Sequence, residues 1–287
     1  MTAIDPDLRI HSVRLAVSDL PRSVDFYERI LGLPLLSNDD ETAWLGADRE
    51  HPALQLTRLQ SPTPAPSSAT GLFHVAWLHP SRESLAATVR RVAAGGWPFE
   101  GASDHGVSEA LYLSDPDGLG IEIYVDRPRE RWERPPSGHG VRMYTLPLDV
   151  EDLLAQAPEE PSAAMPAGSG IGHVHLKVAD VGRANAFYRD ALGFEEQAQL
   201  PSAAFLSAGG YHHHVGLNSW QSRGGSPTPD SAPGLLRVDF ALPSPGALAE
   251  LERRLPDSLE RADGESEDDE SISVRDPDGQ LLVFGAG

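Results

Sequence analysis

Short segments with an apolar residue at every second position alternate along this chain with segments that carry one at every third or fourth position. The first strand pattern runs from Ser12 to Val17, and Asp19 then stands where the N-cap of a helix is expected. The same order of strand and helix begins again near residues 73, 171 and 235. The pattern therefore predicts an α+β protein of four similar units.

The sequence also repeats itself over a long distance. DLPRSVDFYERILGL at 19–33 returns as DVGRANAFYRDALGF at 180–194, and DPDG at 115–118 returns at 276–279. An internal repeat of this extent has to be considered before any local interpretation of the fold. In both copies DPDG lies between two strand patterns, where Asp-Gly favours a hairpin turn.

The repeat divides the chain into two halves joined by a linker. We expect the first half at 8–127, with units at 8–60 and 70–127, and the second half at 170–287, with units at 170–220 and 233–287. Residues 128–169 form the linker, which is charged and rich in proline. Within it we expect one or two helical turns at 149–155 and a flexible tether from 157 onward.

The net charge is -20, from 43 acidic and 23 basic residues. A surface of this sign argues against binding to nucleic acid or to anionic membranes, because both need clustered Lys and Arg. The sequence has neither an apolar run of membrane-spanning length nor a basic, apolar leader, so we expect a cytoplasmic protein. It has no cysteine, so a metal would have to be held by His and carboxylate side chains.

Histidine stands on the opening strand of only some units. When the two copies of the repeat are aligned in sequence, His173 of unit three corresponds to Ser12 of unit one. At the same strand position unit two has His74 and unit four has Arg237. A metal site needs one complete set of ligands, so these differences indicate where such a site can lie.

The last strand of unit two adds a carboxylate. Glu122 stands there between two isoleucines, whereas unit four has Val283 at the corresponding position. Because side chains alternate between the faces of a strand, His74, Glu122 and His173 all point away from the apolar layer and toward one hollow. Two His and one carboxylate, with other positions left open, are typical of non-haem Fe(II) oxygenases.

Three longer strings point to a family. HVHLKVADV at 173–181, DHGVSEALYLSDPDGLGIEIY at 104–124 and GGYHHHVGLNSW at 209–220 resemble the vicinal oxygen chelate superfamily, and within it the catechol 2,3-dioxygenase branch of the extradiol ring-cleavage dioxygenases. The resemblance covers nearly the whole chain outside the linker. It implies four tandem βαβββ modules that form two cupped-sheet barrels.

The resemblance also implies a ligand set and a reaction. Its metal ligands fall on His74, Glu122 and His173, which requires module two to pair with module three and leaves modules one and four as a metal-free barrel. The implied metal is Fe(II), with Mn(II) as the alternative. The implied substrates are a small aromatic diol and O₂, and whether the chain forms a homo-oligomer is left open.

Acid–base residues follow from the same resemblance. The family tyrosine matches Tyr112, and His105 is the candidate for the histidine that accompanies it. The acid–base histidine falls on His213, with His214 as the next candidate. However, the alternation from Val215 onward would turn His213 toward the helices, unless a bulge intervenes. His175, Asn218 and Trp220 are further candidates for the pocket wall, each with a purely structural role as the alternative.

Two other functions remain open at this point. The first is a glyoxalase-like lyase or isomerase that uses nickel or zinc, for which a fourth ligand would have to come from the last strand of module three, where His214 or Gly216 stands instead of Glu. The second is a metal-free protein that binds an aromatic ligand. This second alternative predicts that His74, Glu122 and His173 do not converge.

Overall fold

The computed structural model of the chain describes residues 3–48, 51–136, 138–159, 162–256, 259 and 271–287. The strands are β1 (Arg9–Val17), β2 (Leu35–Asn38), β3 (Thr42–Leu45), β4 (Leu54–Arg58), β5 (Gly71–His79), β6 (Gly101–Asp104), β7 (Ser108–Ser114), β8 (Gly120–Asp126), β9 (Leu146–Pro147), β10 (Gly170–Lys177), β11 (Glu195–Leu200), β12 (Ala203–Ser207), β13 (Val215–Asn218), β14 (Gly234–Leu242), β15 (Ile272–Arg275) and β16 (Leu281–Ala286). The helices are α1 (Leu20–Arg29), α2 (Arg82–Ala94), α3 (Val150–Leu154), α4 (Val181–Ala186) and α5 (Pro245–Arg254). Within the described ranges, no helix has the length and apolar character needed to cross a membrane.

The strands form two curled sheets. The nine-stranded sheet has the order β11-β12-β13-β10-β5-β8-β7-β6-β9 and combines modules two and three. The seven-stranded sheet has the order β15-β16-β14-β1-β4-β3-β2 and combines modules one and four. At the centre of each sheet the opening strands of its two modules pair antiparallel, β10 with β5 and β14 with β1. The predicted pairing of modules across the halves is confirmed.

Local sequence signals fix where the helices begin. Asp19 and Asp180, which occupy equivalent places in the repeat, each accept a backbone N–H from the third residue after them, at 3.0 and 2.9 Å. Ser81 makes the corresponding cap, in reciprocal form, at the start of α2. These bonds satisfy amides that would otherwise lack partners in the first turn.

The alternating strand patterns bury the expected faces. The apolar positions of β1 and of the β10 segment are fully or almost fully buried: Val13, Leu15, Val17, Val174, Leu176 and Val178. They pack into one hydrophobic cluster with residues of all four modules. The opposite face of β10 therefore presents its alternate residues, His173 and His175, to the concave side of the sheet.

The two repeated motifs contact each other. The Tyr27 hydroxyl of α1 donates to Asp115 Oδ2 of the first DPDG turn at 3.2 Å, and Tyr188 donates to Asp276 Oδ2 of the second at 3.1 Å. The other oxygen of each aspartate accepts two backbone N–H groups of its own turn. Tyr188 lies in the π-helical turn Phe187–Ala191 that continues α4. In each half, one tyrosine–aspartate bond thus ties the helical segment of the first module to the last hairpin of the second.

The linker is part of the folded structure. β9 pairs with β6 at one edge of the nine-stranded sheet, and the N–H of Val141 donates to the carbonyl of Gln197 on β11, at the other edge. We call residues 141–147, which connect these two edges, the strap. The predicted short helix is found as α3. In the segment expected as a flexible tether, Met165 is buried and its N–H donates to the carbonyl of Gly32 at 2.6 Å.

Candidate metal centre

Three buried side chains converge in the middle of the nine-stranded sheet. His74 lies on β5, Glu122 on β8 and His173 on β10, and their possible ligand atoms all lie within 4.8 Å of one another. Nε2 of His74 is 3.0 Å from Oε2 of Glu122, and Nε2 of His173 is 3.2 Å from the same oxygen. The structure therefore brings together the three side chains that the sequence pattern had placed on one face.

The arrangement of these atoms suits a divalent cation. Nε2 of His74 is buried and has no hydrogen-bond partner, although it lies close to the Glu122 carboxylate. A buried imidazole nitrogen facing a carboxylate oxygen is unfavourable unless a proton or a cation lies between them. Two imidazoles and one carboxylate are ligands that Fe, Mn and Zn ions all accept.

The ionisation states also suit a metal site. Burial alone would raise the pKa of Glu122, but His173 and His74 outweigh this effect and hold its pKa well below the usual value. Burial lowers the pKa of His173 to about 4, although the Glu122 carboxylate acts in the opposite direction. At neutral pH the carboxylate is therefore ionised, and the His173 imidazole is neutral and has a lone pair to donate.

A cavity of about 530 Å³ opens onto His74 and Glu122. One wall is largely aromatic and the other is more polar. The lining residues are Phe73, His74, Ser103, His105, Val107, Ser108, Tyr112, Glu122, Met143, Tyr144, Thr145, His175, Leu200, Phe205, His213 and Trp220. Leu200 and Trp220 are each about half exposed, at 56% and 52%, and so mark the mouth of the cavity. Glu122 is the only carboxylate among the lining residues, and none of them is Lys or Arg.

The polar wall is organised by His105. Its Nδ1 lies 2.8 Å from the carbonyl oxygen of Tyr144 in the strap, and its Nε2 lies 2.6 Å from the hydroxyl of Tyr112. A neutral imidazole that donates from Nδ1 to a carbonyl must accept at Nε2, so the Tyr112 hydroxyl is the donor in the second bond. Burial, with a further contribution from Glu122, raises the pKa of Tyr112 and keeps its phenol protonated. Both residues predicted for this wall line the cavity.

The histidine triplet lies in an irregular segment. Residues 208–214 connect β12 to β13 outside both strands, and Gly209 and Gly210 have positive φ values of 59° and 64°. Strand alternation from Val215 therefore does not extend back to His213. The alternation that would have turned His213 toward the helices does not apply, because the residue comes before the strand, and the favoured candidate His213 lines the cavity.

His213 is held by a chain of hydrogen bonds. Its Nδ1 lies 2.8 Å from Nδ1 of His212, and Nε2 of His212 lies 2.8 Å from Oδ1 of Asp126. An ionised carboxylate can only accept, so His212 donates from Nε2 and accepts at Nδ1 from His213. This leaves Nε2 of His213 as its nitrogen with a lone pair. Burial, reinforced by His173 and His212, lowers the pKa of His213 well below its usual value, so the ring is neutral.

The remaining candidate residues divide into two groups. His175 and Trp220 line the cavity. His214 does not, because its Nδ1 accepts the backbone N–H of Ala208 at 3.1 Å and its ring packs against Tyr211. Asn218 is buried at the end of β13, where its Oδ1 accepts the backbone N–H of Trp220. Neither His214 nor Asn218 is therefore in a position to meet a ligand in this cavity.

The seven-stranded sheet has different chemistry at the corresponding place. Ser12 pairs with Asp239 across β1 and β14, as His173 pairs with Ala76 across β10 and β5. Arg237 forms a buried ion pair with Asp239, and the Ser12 hydroxyl donates to the same carboxylate at 2.8 Å. An internal ion pair thus occupies the position that the candidate metal ligands occupy in the other sheet.

Several site residues were not predicted from the sequence. Asp126 shares strand parity with Glu122 on β8, so alternation could have indicated it. Phe205 lies on β12, a strand that the sequence pattern did not predict. The strap residues Met143, Tyr144 and Thr145 carry no local signal, because their position depends on how the linker crosses the sheet.

Comparison with known families and sequences gives consistent matches. Residues 9–123 match the Glyoxalase/Bleomycin resistance protein/Dioxygenase superfamily, and residues 171–209 match a bleomycin resistance protein-like N-terminal family. The chain is 41% identical over 288 residues to a catechol-2,3-dioxygenase from Bacillus subtilis (strain 168), covering 99% of both chains. It is 24% identical over 205 residues to a manganese-dependent 2,3-dihydroxybiphenyl 1,2-dioxygenase from Geobacillus genomosp. 3, covering 69% of this chain and 58% of that protein.

Solved structures share the fold. A putative dioxygenase from Bacillus subtilis subsp. subtilis str. 168 superposes with a TM-score of 0.61 at 14% identity, covering 100% of this chain and 86% of the other. Glyoxalase I from Zea mays superposes with a TM-score of 0.55 at 17% identity, covering 98% and 92%. At these identities the similarity establishes the architecture of paired modules and nothing about the chemistry.

Proposed function

Because the chain belongs to the glyoxalase/bleomycin resistance protein/dioxygenase superfamily, we propose that it is an extradiol dioxygenase that opens the ring of a catechol-type diol at a metal held by His74, Glu122 and His173. Its 41% identity to a catechol-2,3-dioxygenase, over nearly the full length of both chains, makes it an oxidoreductase of the dioxygenase class. The finer assignment concerns the metal, its ligands and the substrate. It is supported above all by the convergence of three buried ligand atoms within 4.8 Å at the edge of a cavity.

These three side chains have the character of an oxygenase site. Two imidazoles and one carboxylate would leave other coordination positions for substrate. The chemistry that Fe(II) or Mn(II) supplies when bound is Lewis-acid activation of the two diol oxygens and one-electron chemistry with O₂. The negative charge of Glu122 is suited to a cation in a setting that is otherwise almost uncharged.

Proton transfer is assigned to His213. Nε2 of this ring carries the lone pair because its Nδ1 is engaged by His212, which Asp126 holds in turn. A neutral base at the cavity wall can take up a proton from a diol hydroxyl at Nε2 and return it later in the reaction. The centroid of the ring lies 4.0 Å from that of His173, so this base stands beside a proposed metal ligand.

The two walls have separate tasks in this proposal. Phe73, Phe205 and Trp220 offer ring faces and edges against which an aromatic substrate can pack. On the other wall the Tyr112 hydroxyl, held by His105, provides a polar group next to Glu122 in the pairing of β7 with β8. We assign Tyr112 and His105 to orienting the substrate oxygens.

The proposal is tested by turnover. Protein loaded anaerobically with Fe(II), or in parallel with Mn(II), is mixed with catechol and air-saturated buffer, and O₂ uptake and absorbance are followed. We expect consumption of one O₂ per catechol and a yellow muconic semialdehyde product. Absence of O₂ uptake with catechol and with alkyl- and aryl-substituted catechols, in protein shown to retain its metal, would contradict the proposal.

A further inference from the structure

Lys177 is the only lysine in the sequence, and it stands at the end of β10, where it is partly buried. Its neighbour Leu176 belongs to the core, so Lys177 shares the concave face of the strand with His173 and His175. It follows His175, which pairs with His74, by two residues or roughly 7 Å along the strand. The only lysine side chain therefore lies on the same face as the candidate metal ligands.

A second cavity adjoins the 530 Å³ cavity of the candidate metal centre. It has a volume of about 340 Å³ and shares Phe73, His74 and Tyr112 with the larger cavity, and Lys177 lies in its wall. Phe73 has no partner in the register of β5 with β10 and is therefore the extra residue of a β-bulge. Its ring centroid is 5.3 Å from that of His74. A ligand beside His74 thus has space on two sides.

Lys177 also lines a third cavity, of about 570 Å³. This cavity shares Leu72 and Gly118 with the second, and its wall includes Ser18 of module one and the segment 62–67 that connects modules one and two. Lys177 therefore stands where the space beside the candidate metal centre continues toward the other sheet.

The ammonium group of Lys177 lacks a protein partner. Among the residues that the structure describes, none accepts a hydrogen bond from it or lies within ion-pair distance of it. Other partly buried cations of the same sheet are paired, as Arg82 and Arg127 are with Glu109. A partly buried cation gains from an anionic partner, and this chain has 43 acidic residues for 23 basic ones. The missing partner therefore points to an anion that comes from outside the chain.

The acids in the walls of these two cavities have other partners. Asp117, in the third cavity, forms an ion pair with Arg22. Glu100, in the second, accepts a hydrogen bond from the Ser114 hydroxyl at 2.6 Å. Neither carboxylate is within ion-pair distance of Lys177, so the ammonium group remains open to a ligand.

The proposed reaction makes an anion from a neutral substrate. Catechol, C₆H₆O₂, takes up one O₂ to give C₆H₆O₄, and the carbon–carbon bond beside one hydroxyl is replaced by an aldehyde and a carboxylic acid. This acid is ionised at neutral pH. A diol with an acidic side chain carries the same group before cleavage. A carboxylate and an ammonium group form a charge-assisted hydrogen bond.

We infer that Lys177 binds the carboxylate of a ligand that extends from the candidate metal centre into the second cavity. The inference rests on the proposed function. The carboxylate has two possible sources, the ring-opened product and an acidic substituent of the diol. The 530 Å³ cavity has no Lys or Arg in its wall and so offers such a carboxylate no cation. Lys177 supplies one in the adjoining space.

The test is the affinity for ligands with and without a carboxylate. Isothermal titration calorimetry of Fe(II)-loaded protein under anaerobic conditions uses catechol, dihydroxyphenylpropionates with the acidic chain next to a hydroxyl or one carbon further, and separately prepared muconic semialdehyde. Wild type is compared with Lys177→Met, which lacks the charge, and with Lys177→Arg, which retains it. Arg29→Met is the matched control, because it removes one positive charge from an exposed ion pair on α1. Metal content and thermal unfolding are measured for all variants.

We expect Lys177→Met to raise the Kd for a carboxylate ligand about tenfold, the effect of losing one charge-assisted hydrogen bond. Its Kd for catechol should stay within about twofold of wild type, and Lys177→Arg should stay within about threefold for every ligand. A rise for the propionates identifies a substituent of the diol as the source, and a rise for the semialdehyde identifies the product.

Three results would overturn the inference. Lys177→Met could bind every carboxylate ligand as tightly as wild type, or it could lose the same affinity for catechol as for the carboxylates. Arg29→Met could also weaken the carboxylate ligands as much as Lys177→Met does, which would show an effect of net charge alone.

The same titrations separate this inference from the proposed function. Wild-type protein that binds a carboxylate ligand anaerobically but consumes no O₂ contradicts the proposed reaction, and the comparison of Lys177 variants still decides the role of this residue. Wild-type protein that cleaves catechol but binds none of the carboxylate ligands contradicts this inference alone.

Discussion

Asp126 and His212 determine which nitrogen of His213 can take up a proton. The carboxylate accepts Nε2–H of His212, and Nδ1 of His212 then accepts Nδ1–H of His213, each over 2.8 Å. Two neutral imidazoles in contact are each free to adopt either tautomer unless a third group fixes one. Asp126 is that group, although it is not among the residues that line the cavity.

We therefore predict a selective effect of Asp126→Asn. An amide can donate as well as accept, so His212 is no longer fixed, and kcat for catechol should fall about 10- to 100-fold, part of the ~10²–10⁴ that acid–base catalysis contributes. KM should change less than about threefold. Steady-state O₂ uptake measures both values, and Asp25→Asn, which alters an exposed ion pair with Arg29, is the control. An unchanged kcat for Asp126→Asn would show that the chain of hydrogen bonds has no catalytic role.

Strand parity accounts for what the sequence could predict at this scale. His74, Glu122 and His173 are each followed on their strand by a buried apolar residue of the core, so alternation placed them on the concave face. His213 could not be placed in this way, because residues 208–214 follow no period. His175 was recognised as a possible wall residue, but its unpartnered Nε2 is visible only in the folded structure.

At the scale of elements, the tyrosine–aspartate bonds join helices to hairpins. Asp115 is 4% exposed, and burial raises its pKa to about 6, whereas its two backbone N–H bonds and Tyr27 act in the opposite direction. The folded protein thus holds a proton here at pH values where the unfolded chain has lost it. A raised carboxyl pKa means that stability falls as pH rises from about 4 to about 6.

Asp115→Asn should remove this dependence. Between pH 4.5 and 7.5 the free energy of unfolding of the variant should rise by about 2 kcal/mol relative to wild type, since one pKa unit corresponds to about 1.4 kcal/mol. Urea denaturation at several pH values measures the difference. Asp276→Asn, in the second copy of the motif, should behave in the same way, because burial also raises the pKa of Asp276 to about 6. A difference that does not vary with pH would contradict the assignment.

The second sheet is stabilised by an ion pair where the first has its candidate metal ligands. Arg237 and Asp239 are both largely buried, so each charge depends mainly on its protein partners for stabilisation. We expect Arg237→Met to lower the free energy of unfolding by about 2 kcal/mol, because the largely buried Asp239 carboxylate then keeps only the Ser12 hydroxyl and the more distant Arg14, at 3.8 Å, as partners.

A second variant tests the reason for that loss. The double variant Arg237→Met/Asp239→Ala removes both charges and should recover most of the stability, as apolar replacements of buried ion pairs often do. Chemical denaturation provides the values, and the metal content of all proteins should be the same. If Arg237→Met is as stable as wild type, this ion pair does not hold the second sheet together.

Elements with strong periodicity could be predicted, and short edge elements could not. The opening strands and the helices of all four units have apolar positions at regular spacing, and each is present in the structure. β2, β6, β9, β11 and β12 were not predicted, because they lie at or near sheet edges and their pairing depends on neighbours that are distant in sequence. β9 in particular forms only when the linker reaches β6.

At the scale of the whole molecule, the boundary between the two repeated halves does not coincide with the boundary between the two sheets. The halves are related by sequence, but each sheet takes one module from each half. The ligand count made this pairing predictable, since only modules two and three together supply two His and one Glu. How the linker supports it was not predictable.

Arg91 is an example of that support. Its guanidinium donates to the carbonyls of Ile30 and Leu31 at the end of the first helical segment, and to those of Ser162 and Ala164 in the linker. One α2 side chain thus holds modules one and two and the linker together. On the side of the cavity, the strap connects the two edges of the nine-stranded sheet, and its Tyr144 carbonyl forms a hydrogen bond with His105.

We propose that one metal ion is bound across the boundary of the repeat, by one histidine and one glutamate of the first half and one histidine of the second. The most direct measurement is an anomalous difference map at the iron edge from a crystal of the protein loaded anaerobically with Fe(II). We predict a single peak within roughly 2.0–2.3 Å of Nε2 of His74, Nε2 of His173 and a carboxylate oxygen of Glu122. A peak at the histidine triplet 212–214, or iron bound only at surface carboxylates, would contradict it.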